Sequence, residues 1–307
     1  MKIIFMGTPE FAVPSLKILL ENRYDVISVV TIPDRRMGRG QVLSYSEVKK
    51  FALEKDLSIL QPEKLNDENF INTIKSLRPD IIIVVAFKIL PKEIFTIPDC
   101  GTFNLHASLL PKYRGAAPIN RALINGEKKT GVTTFFLKEK VDTGNIILQK
   151  SLSIEDDDDA GTLYDKLSAL GAVTVLETVN LINEGNVHPT EQDNSLSSPA
   201  PKIFREDCGI NWKQDAIAIN NFVRGLSPYP AAFTHLENKI IKIYKTKLTT
   251  QPKEETQGNI ILRDKKILVS ANDYLIDIQK LQIEGKKIMN ALDFINGLDK
   301  NKKYTFM

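Results

Sequence analysis

Cysteine, histidine and tryptophan are scarce, with 2, 3 and 1 copies in 307 residues. Two cysteines, Cys100 and Cys208, can build neither a disulfide framework nor a metal-ligand cluster, so both read as ordinary thiols of a reducing compartment. No apolar run approaches the roughly 20 residues that a bilayer requires. The N-terminus lacks a basic n-region and cleavage pattern, because Lys2-Ile3-Ile4-Phe5-Met6 runs straight into a turn. A cytoplasmic protein with no membrane partner is expected. There is no internal repeat. The run of four aspartates at 156–159 has no histidine or cysteine nearby, which makes it a solvated turn, and no metal site is expected.

Charge of one sign is absent overall but not locally. Residues 205–307 carry 17 Lys and Arg against 12 Asp and Glu, while residues 1–204 carry 24 against 26. A basic excess confined to the C-terminal third suits a domain that meets phosphates, although an excess of this size also occurs on ordinary solvated surfaces.

What is present is enough apolar material, 42% of residues, to fill real cores. Lys2-Ile3-Ile4-Phe5-Met6 predicts a strand, Gly7-Thr8-Pro9-Glu10 a turn, and residues 11–20 a helix through Phe11, Leu16, Leu19 and Leu20. Residues 26–31 predict a second strand and 46–55 a second helix. Ile81-Ile82-Ile83-Val84-Val85-Ala86 reads as a parallel strand buried on both faces. Alternating strands and helices imply a doubly wound α/β sheet, whose ligands bind beyond the carboxyl ends of the strands. Strands follow at 131–137 and 146–152. Thr162-Leu163-Tyr164-Asp165 predicts a capping box that opens a helix reaching about residue 184. Periodicity then vanishes into Pro, Ser, Asn and Asp between His188 and Pro201. The expected division is a catalytic domain over 1–189, a linker over 190–204, and a small β-rich domain over 205–307, an open barrel of short strands near 240–244, 259–262, 267–269 and 275–278.

Three residues state a chemistry. Asn104 and His106 close the segment after Gly101-Thr102-Phe103, and Asp142 sits in Val141-Asp142-Thr143-Gly144 between two predicted strands. An amide donor, a titratable imidazole and a carboxylate that can orient it suit transfer of an acyl-type carbon, in which an oxyanion develops and a proton moves. Of the other histidines, His188 precedes a proline and His235 lies among strand residues. Asp142-Thr143-Gly144 also matches half of an aspartic protease, but a second such motif is absent. Gly7-Thr8-Pro9-Glu10 has one glycine and a proline where a dinucleotide fingerprint would stand, so it reads as a tight turn before a helix. Pro33-Asp34-Arg35-Arg36-Met37-Gly38-Arg39-Gly40 reads either as a mobile loop that closes on a polyanion or as a solvated charged loop.

Asn104-Leu105-His106-Ala107-Ser108-Leu109-Leu110-Pro111-Lys112-Tyr113-Arg114-Gly115-Ala116-Ala117-Pro118-Ile119 closely resembles the signature of folate-dependent formyltransferases. With Met6-Gly7-Thr8-Pro9-Glu10-Phe11-Ala12, the arginine segment, Gly161-Thr162-Leu163-Tyr164-Asp165-Lys166-Leu167 and Leu226-Ser227-Pro228-Tyr229-Pro230-Ala231-Ala232, the chain resembles bacterial methionyl-tRNA formyltransferases over nearly its whole length. The resemblance implies a Rossmann-like formyltransferase domain and an OB-like C-terminal domain that helps hold tRNA. It also implies 10-formyltetrahydrofolate as a co-substrate with no tightly bound cofactor, and transfer to the α-amino group of methionine on initiator tRNA. A monomer is expected.

Carried over residue by residue, Asn104 and His106 would stabilise the oxyanion and handle the proton, with Asp142 orienting His106. Ser108, Leu109, Leu110 and Pro111, with Phe87, Ile89 and Leu90, would form the folate site. Arg35, Arg36 and Arg39, with Lys202 and Arg205, would meet the tRNA. Ala86-Phe87-Lys88-Ile89-Leu90-Pro91 departs from the family in being one residue shorter and lacking its glycine, which bears on the shape of the pterin pocket. A UDP-aminosugar formyltransferase would tend to have Arg-Gly-Arg-Ala-Pro where this chain has Arg114-Gly115-Ala116-Ala117-Pro118. A non-catalytic RNA-binding protein on the same scaffold is the alternative from another class, against which the intact triplet argues.

Overall fold

The computed structural model describes residues 1–37, 42–299 and 302–307. They fold as two compact units, one of residues 1–115, 130–152 and 164–199, the other of 116–129, 153–163 and 200–307. The units are therefore not two consecutive stretches. Residues 190–199, which composition marks as linker, belong to the first.

In chain order the elements begin with β1 (Lys2–Gly7), a 3-10 turn (Glu10–Ala12), α1 (Val13–Glu21), β2 (Asp25–Val30), β3 (Arg35–Met37) and β4 (Val42–Ser44). They continue with α2 (Glu47–Glu54), β5 (Ile59–Leu60), α3 (Glu68–Leu77), β6 (Ile81–Val85), α4 (Lys92–Phe95) and β7 (Thr102–His106). Then come α5 (Pro118–Ile124), β8 (Lys129–Phe136), β9 (Ile146–Ser153) and α6 (Ala160–Asn183). One sheet runs β5-β2-β1-β6-β7-β8-β9, parallel from β5 to β7, with β8 antiparallel to β7.

The unbroken apolar character of β6 follows from this position. Ile82 and Val84 join Ile4 and Met6 against Phe70 and Ile74 of α3 and Ile94 of α4, while the alternate residues Ile3, Phe5, Ile81 and Ile83 are also fully buried. With both faces covered there is no solvent side to make polar. The strand order reverses at β1, which has β2 on one side and β6 on the other, so the carboxyl ends of β1, β6 and β7 face the expected ligand crevice.

Local chemistry sets the helix starts. The Ser46 hydroxyl accepts the Lys49 N–H at 3.1 Å ahead of α2, and the Asp67 carboxylate accepts the Phe70 N–H at 3.1 Å ahead of α3. At α6 the reciprocal box joins Asp159 and Thr162, at 2.9 and 3.0 Å, rather than Thr162 and Asp165. The helix consequently starts at Ala160, three residues before the position that a Thr162 cap would give. The arginine segment also differs from an irregular loop: Arg35 pairs with Ser44 and Arg36 with Leu43 in a two-stranded hairpin.

The second unit adds α7 (Ala216–Leu226), β10 (Ala232–Leu236), β11 (Lys239–Pro252), β12 (Asn259–Arg263), β13 (Lys266–Ser270), β14 (Tyr274–Ile283), β15 (Met289–Asn290), α8 (Ala291–Asn296) and β16 (Tyr304–Thr305). Its antiparallel sheet runs β10-β11-β14-β13-β12-β16, with β15 beside β14. The barrel then closes on itself. Leu236 bridges Phe306, and His235 and Met307 exchange N–H to carbonyl bonds of 2.9 Å. This seam joins the two end strands of the sheet at one point and so shortens the free edges that an open sheet would expose. Phe306 is 2% exposed and stacks on the chain's single tryptophan, Trp212, with centroids 5.5 Å apart. Gly258 makes this seam possible: its φ is +87°, and a Cβ there would stand 2.4 Å from the Phe306 carbonyl oxygen.

Replacing Phe306 with alanine removes a ring from the point where the barrel closes. Phe306→Ala should lower the stability of the second unit by about 3–5 kcal/mol, read from Trp212 emission during urea unfolding. Phe306→Leu, which keeps most of the volume, should lose clearly less. An unchanged midpoint in Phe306→Ala would show that the seam does not hold the barrel.

Candidate functional site

Asn104 and His106 are alternate residues of β7, so their side chains leave the same face of the sheet, with Cα atoms about 6–7 Å apart. The intervening Leu105 points the other way and packs on α6 at Gly171, where an added Cβ would lie 2.6 Å from a Leu105 methyl carbon. Burial of Leu105 thus fixes which way its two neighbours face. The Asn104 carboxamide makes no hydrogen bond to any described residue, leaving a half-buried amide donor available.

His106 is 7% exposed and its ring is held by one strong contact. Nε2 lies 2.8 Å from the Tyr113 carbonyl oxygen, so in the neutral ring this nitrogen carries the hydrogen and donates it. Tyr113 itself lies in the left-handed region at φ +61°. The other ring nitrogen, Nδ1, faces the Asp142 carboxylate with Oδ2 at 3.8 Å. That separation is an ion-pair distance and too long for a hydrogen bond. Asp142 Oδ2 instead accepts the Gly115 N–H at 2.9 Å. Orientation of the imidazole therefore rests first on the Tyr113 carbonyl, a group that the sequence pattern did not single out.

The Asp142 loop is held by a residue from the aperiodic segment. The Gln192 Nε2 donates to the Asp142 carbonyl at 3.0 Å and the Gly144 carbonyl at 2.8 Å, while its Oε1 accepts from Arg114 Nε at 3.1 Å and Nη2 at 2.6 Å. Ser198 adds two bonds, its hydroxyl accepting the Tyr113 N–H at 2.9 Å and its carbonyl the Arg114 N–H at 2.9 Å. Gly144 must be glycine, because a Cβ would sit 1.5 Å from the Phe136 carbonyl oxygen. Gln192 and Ser198 were not anticipated. Nothing in the sequence marks Gln192, which meets the Asp-Thr-Gly loop only in space.

The segment after His106 is rigid. The Ser108 hydroxyl donates to the Lys112 carbonyl at 2.7 Å, Thr133 Oγ1 accepts the Leu110 N–H at 3.1 Å, and Gln149 Nε2 donates to the Leu110 carbonyl at 2.6 Å. Leu110 is buried, Leu109 half-buried, and Pro111 follows a cis peptide bond. After β6, Ala86 takes a left-handed φ of +49°, so the chain turns here without a glycine. Leu90 is buried in the core of the first unit, Phe87 packs against that core, and Ile89 is 74% exposed. A contribution of Leu90 to a ligand site would therefore come from its backbone.

Arg35 and Arg36 are exposed on β3 and form no ion pair with a described residue; Arg39 lies outside the described residues. The hairpin stem is anchored by Lys49, whose ammonium reaches Asp34 at 2.5 Å and Gln61 at 2.8 Å. Those hydrogen bonds, from Lys49 first and Gln61 second, hold the Asp34 carboxyl below its ordinary range. Lys202 and Arg205 are exposed in the second unit. Among the described residues there is no cluster of His, Cys, Asp and Glu able to hold a metal, and no helix long and apolar enough to cross a membrane.

The formyl transferase family model matches residues 1–179, and the model of the formyl transferase C-terminal domain matches residues 202–299. A methionyl-tRNA formyltransferase of Flavobacterium johnsoniae is 48% identical over 97% of this chain and 96% of its own. One of Thermodesulfovibrio yellowstonii is 49% identical over 96% and 95%. Among solved structures, an N-formyltransferase from Helicobacter canadensis, in complex with folinic acid and dTDP-3-aminofucose, superimposes with a TM-score of 0.67 at 23% identity, over 91% of this chain and 99% of its own. The methionyl-tRNA formyltransferase from Clostridium thermocellum gives 0.56 at 19% identity, over 81% and 94%. At those identities the structures share the fold alone, whereas the matched models and the close relatives together settle the family. This chain belongs to the formyl transferase family.

Proposed function

We propose that the protein transfers the formyl group of 10-formyltetrahydrofolate to the α-amino group of methionine carried by initiator tRNA. The observation that carries the chemistry is the placement of the Asn104 amide and the His106 imidazole on one face of one strand, with the Asp142 carboxylate beside Nδ1. The acceptor follows from the name shared by relatives that match nearly the whole chain.

In this reading the free amine attacks the formyl carbon, forming the new C–N bond and pushing the carbonyl electrons onto oxygen. The Asn104 amide donates to that oxyanion. His106 Nδ1 holds the free lone pair, because Nε2 donates to the Tyr113 carbonyl, so Nδ1 is the position that takes the amine proton. The Asp142 carboxylate stands beside the charge that this creates. Return of the proton to N10 lets tetrahydrofolate leave as the oxyanion collapses to the product formamide. The folate is consumed and released, and so is a co-substrate. The protein is assigned to the cytoplasm and to action as a monomer, with Ser108, Leu109, Leu110, Pro111, Phe87, Ile89 and the backbone of Leu90 around the folate and Arg35, Arg36, Arg39, Lys202 and Arg205 toward the tRNA. Incubation with 10-formyltetrahydrofolate and charged Met-tRNA, followed by detection of formyl-methionine, tests the reading directly. No product would overturn it.

Because the amide and imidazole act mainly in the transition state, Asn104→Ala and His106→Ala should each lower kcat by at least about 10²-fold while equilibrium folate binding is largely kept. Asp142→Asn keeps an acceptor for the Gly115 N–H and removes only the charge, so it should also lower kcat with little change in folate affinity. Near-normal turnover in all three would rule out these roles.

Gln192 acts through Asp142, as a positioning residue. Gln192→Ala leaves two carbonyls and the Arg114 guanidinium without their partner, and a displacement of about 1 Å at Asp142 should cost kcat about 10- to 100-fold. Gln192→Glu can still accept from Arg114 but cannot donate to the two carbonyls, so it should not rescue kcat. Unchanged kcat in both variants, at unchanged melting temperature, would remove Gln192 from the mechanism.

A further inference from the structure

The chain enters the barrel core at Ile203, which packs against the core of the second unit, and the next side chain is turned outward. Phe204 is 51% exposed. Its ring is displayed from a fixed backbone. The Phe204 N–H donates to Asp207 Oδ2 at 3.0 Å, and its carbonyl accepts from the Asp207 N–H at 3.1 Å and from Cys208 Sγ at 3.2 Å, with Cys208 itself 1% exposed. The Lys202 ammonium stands 5.2 Å from the ring centroid. Lys202 and the exposed Arg205 make no ion pair with any described residue. Glu206 is exposed beside them, whereas the Asp207 carboxylate is occupied by the Phe204 N–H.

An exposed aromatic ring with one cation over it and a second exposed cation on the next residue suits a flat ring that carries anionic groups, which is the chemistry of an unpaired nucleotide. A paired base hides its faces within the stack and cannot use such a platform. We propose that Phe204 is a stacking platform for an unpaired nucleobase of the tRNA, with Lys202 and Arg205 contacting the adjacent phosphates. The proposal rests on the reading above that the formyl acceptor is a tRNA, and adds a contact to a base plane where that reading had only charges.

The test uses the full-length chain and measures tRNA binding at fixed salt for Phe204→Ala, Phe204→Leu and Phe204→Tyr. Stacking predicts that alanine and leucine each weaken binding about 10-fold, that tyrosine restores it, and that kcat at saturating tRNA and the melting temperature stay unchanged. The salt slope should be unaffected in these uncharged variants, while Lys202→Ala and Arg205→Ala should each reduce it by about 1. Phe204→Trp should show emission quenched saturably by tRNA, against the unquenched signal of the buried Trp212. Leucine binding tRNA as tightly as the wild type, or an unquenched Phe204→Trp, overturns the platform even if the wild type formylates Met-tRNA. Self-association of the wild type that is lost in Phe204→Leu, with tRNA binding intact, also overturns it. Should the wild type formylate no Met-tRNA while Phe204→Trp is still quenched by tRNA, the stacking site stands and the proposed acceptor falls.

Discussion

Gln192 is 5% exposed, and all four of its hydrogen-bonding directions are engaged within the first unit. A buried carboxamide tolerates little loss of partners, since each unmet group costs about 1–3 kcal/mol. The arrangement is correspondingly fixed. Through its amide nitrogen the Asp142 loop is tied down at two carbonyls, and through its oxygen the Arg114 guanidinium is held. Arg114 follows Tyr113, the Tyr113 carbonyl sets the His106 ring, and the Gly115 N–H returns to Asp142. The geometry of the candidate site is thus a closed circuit of hydrogen bonds that needs a side chain from outside both the strand and the loop.

That circuit explains which parts of the site were legible in the sequence. Asn104 and His106 stand two residues apart on one strand, and a period of two places them on one face without tertiary information. Asp142 could be named from its turn motif, but its place beside His106 depends on Gln192, 48 to 50 residues later, holding the Asp142 and Gly144 carbonyls. Gln192 sits between Glu191 and Asp193 in a stretch without periodicity, so no local pattern distinguishes it from its solvated neighbours. The α/β alternation was readable because β6 is apolar on both faces. α7, by contrast, carried its signal in Ile219, Val223 and Leu226 at helical spacing, all buried, within a region dominated by short strands. The box at α6 was displaced because Asp159 is the better-placed partner of Thr162, and it belongs to an acidic run whose charges suggested only solvent.

The division of the chain carries a similar lesson. Residues 104–115 of the formyl signature lie in the first unit and 116–119 in the second. α5 starts with Pro118, Asn120 donates to the Gly225 carbonyl at 2.8 Å, and Gly225 admits Ile124 so closely that a Cβ would be 2.6 Å away. α5 is therefore built against α7, a hundred residues later in the chain. Cutting after residue 204 would leave α5 with its apolar side bare, so loss of activity in such a fragment would say little about what residues 205–307 contribute to acceptor recognition.

The carbonyl contact to His106 also constrains the direction of proton movement. A ring whose Nε2 must donate cannot offer that nitrogen as a base without breaking a buried 2.8 Å bond, and a flipped ring would place a hydrogen-bearing carbon against the same carbonyl. The lone pair is consequently confined to Nδ1, on the side of Asp142. A carboxylate in direct hydrogen bond with Nδ1 would occupy the position that the substrate proton needs. At 3.8 Å, and with its oxygen turned toward the Gly115 N–H, Asp142 stands beside Nδ1 without forming a hydrogen bond to it. The backbone thus fixes the tautomer and leaves the Nδ1 lone pair uncovered, which is the arrangement that the proposed proton transfer requires.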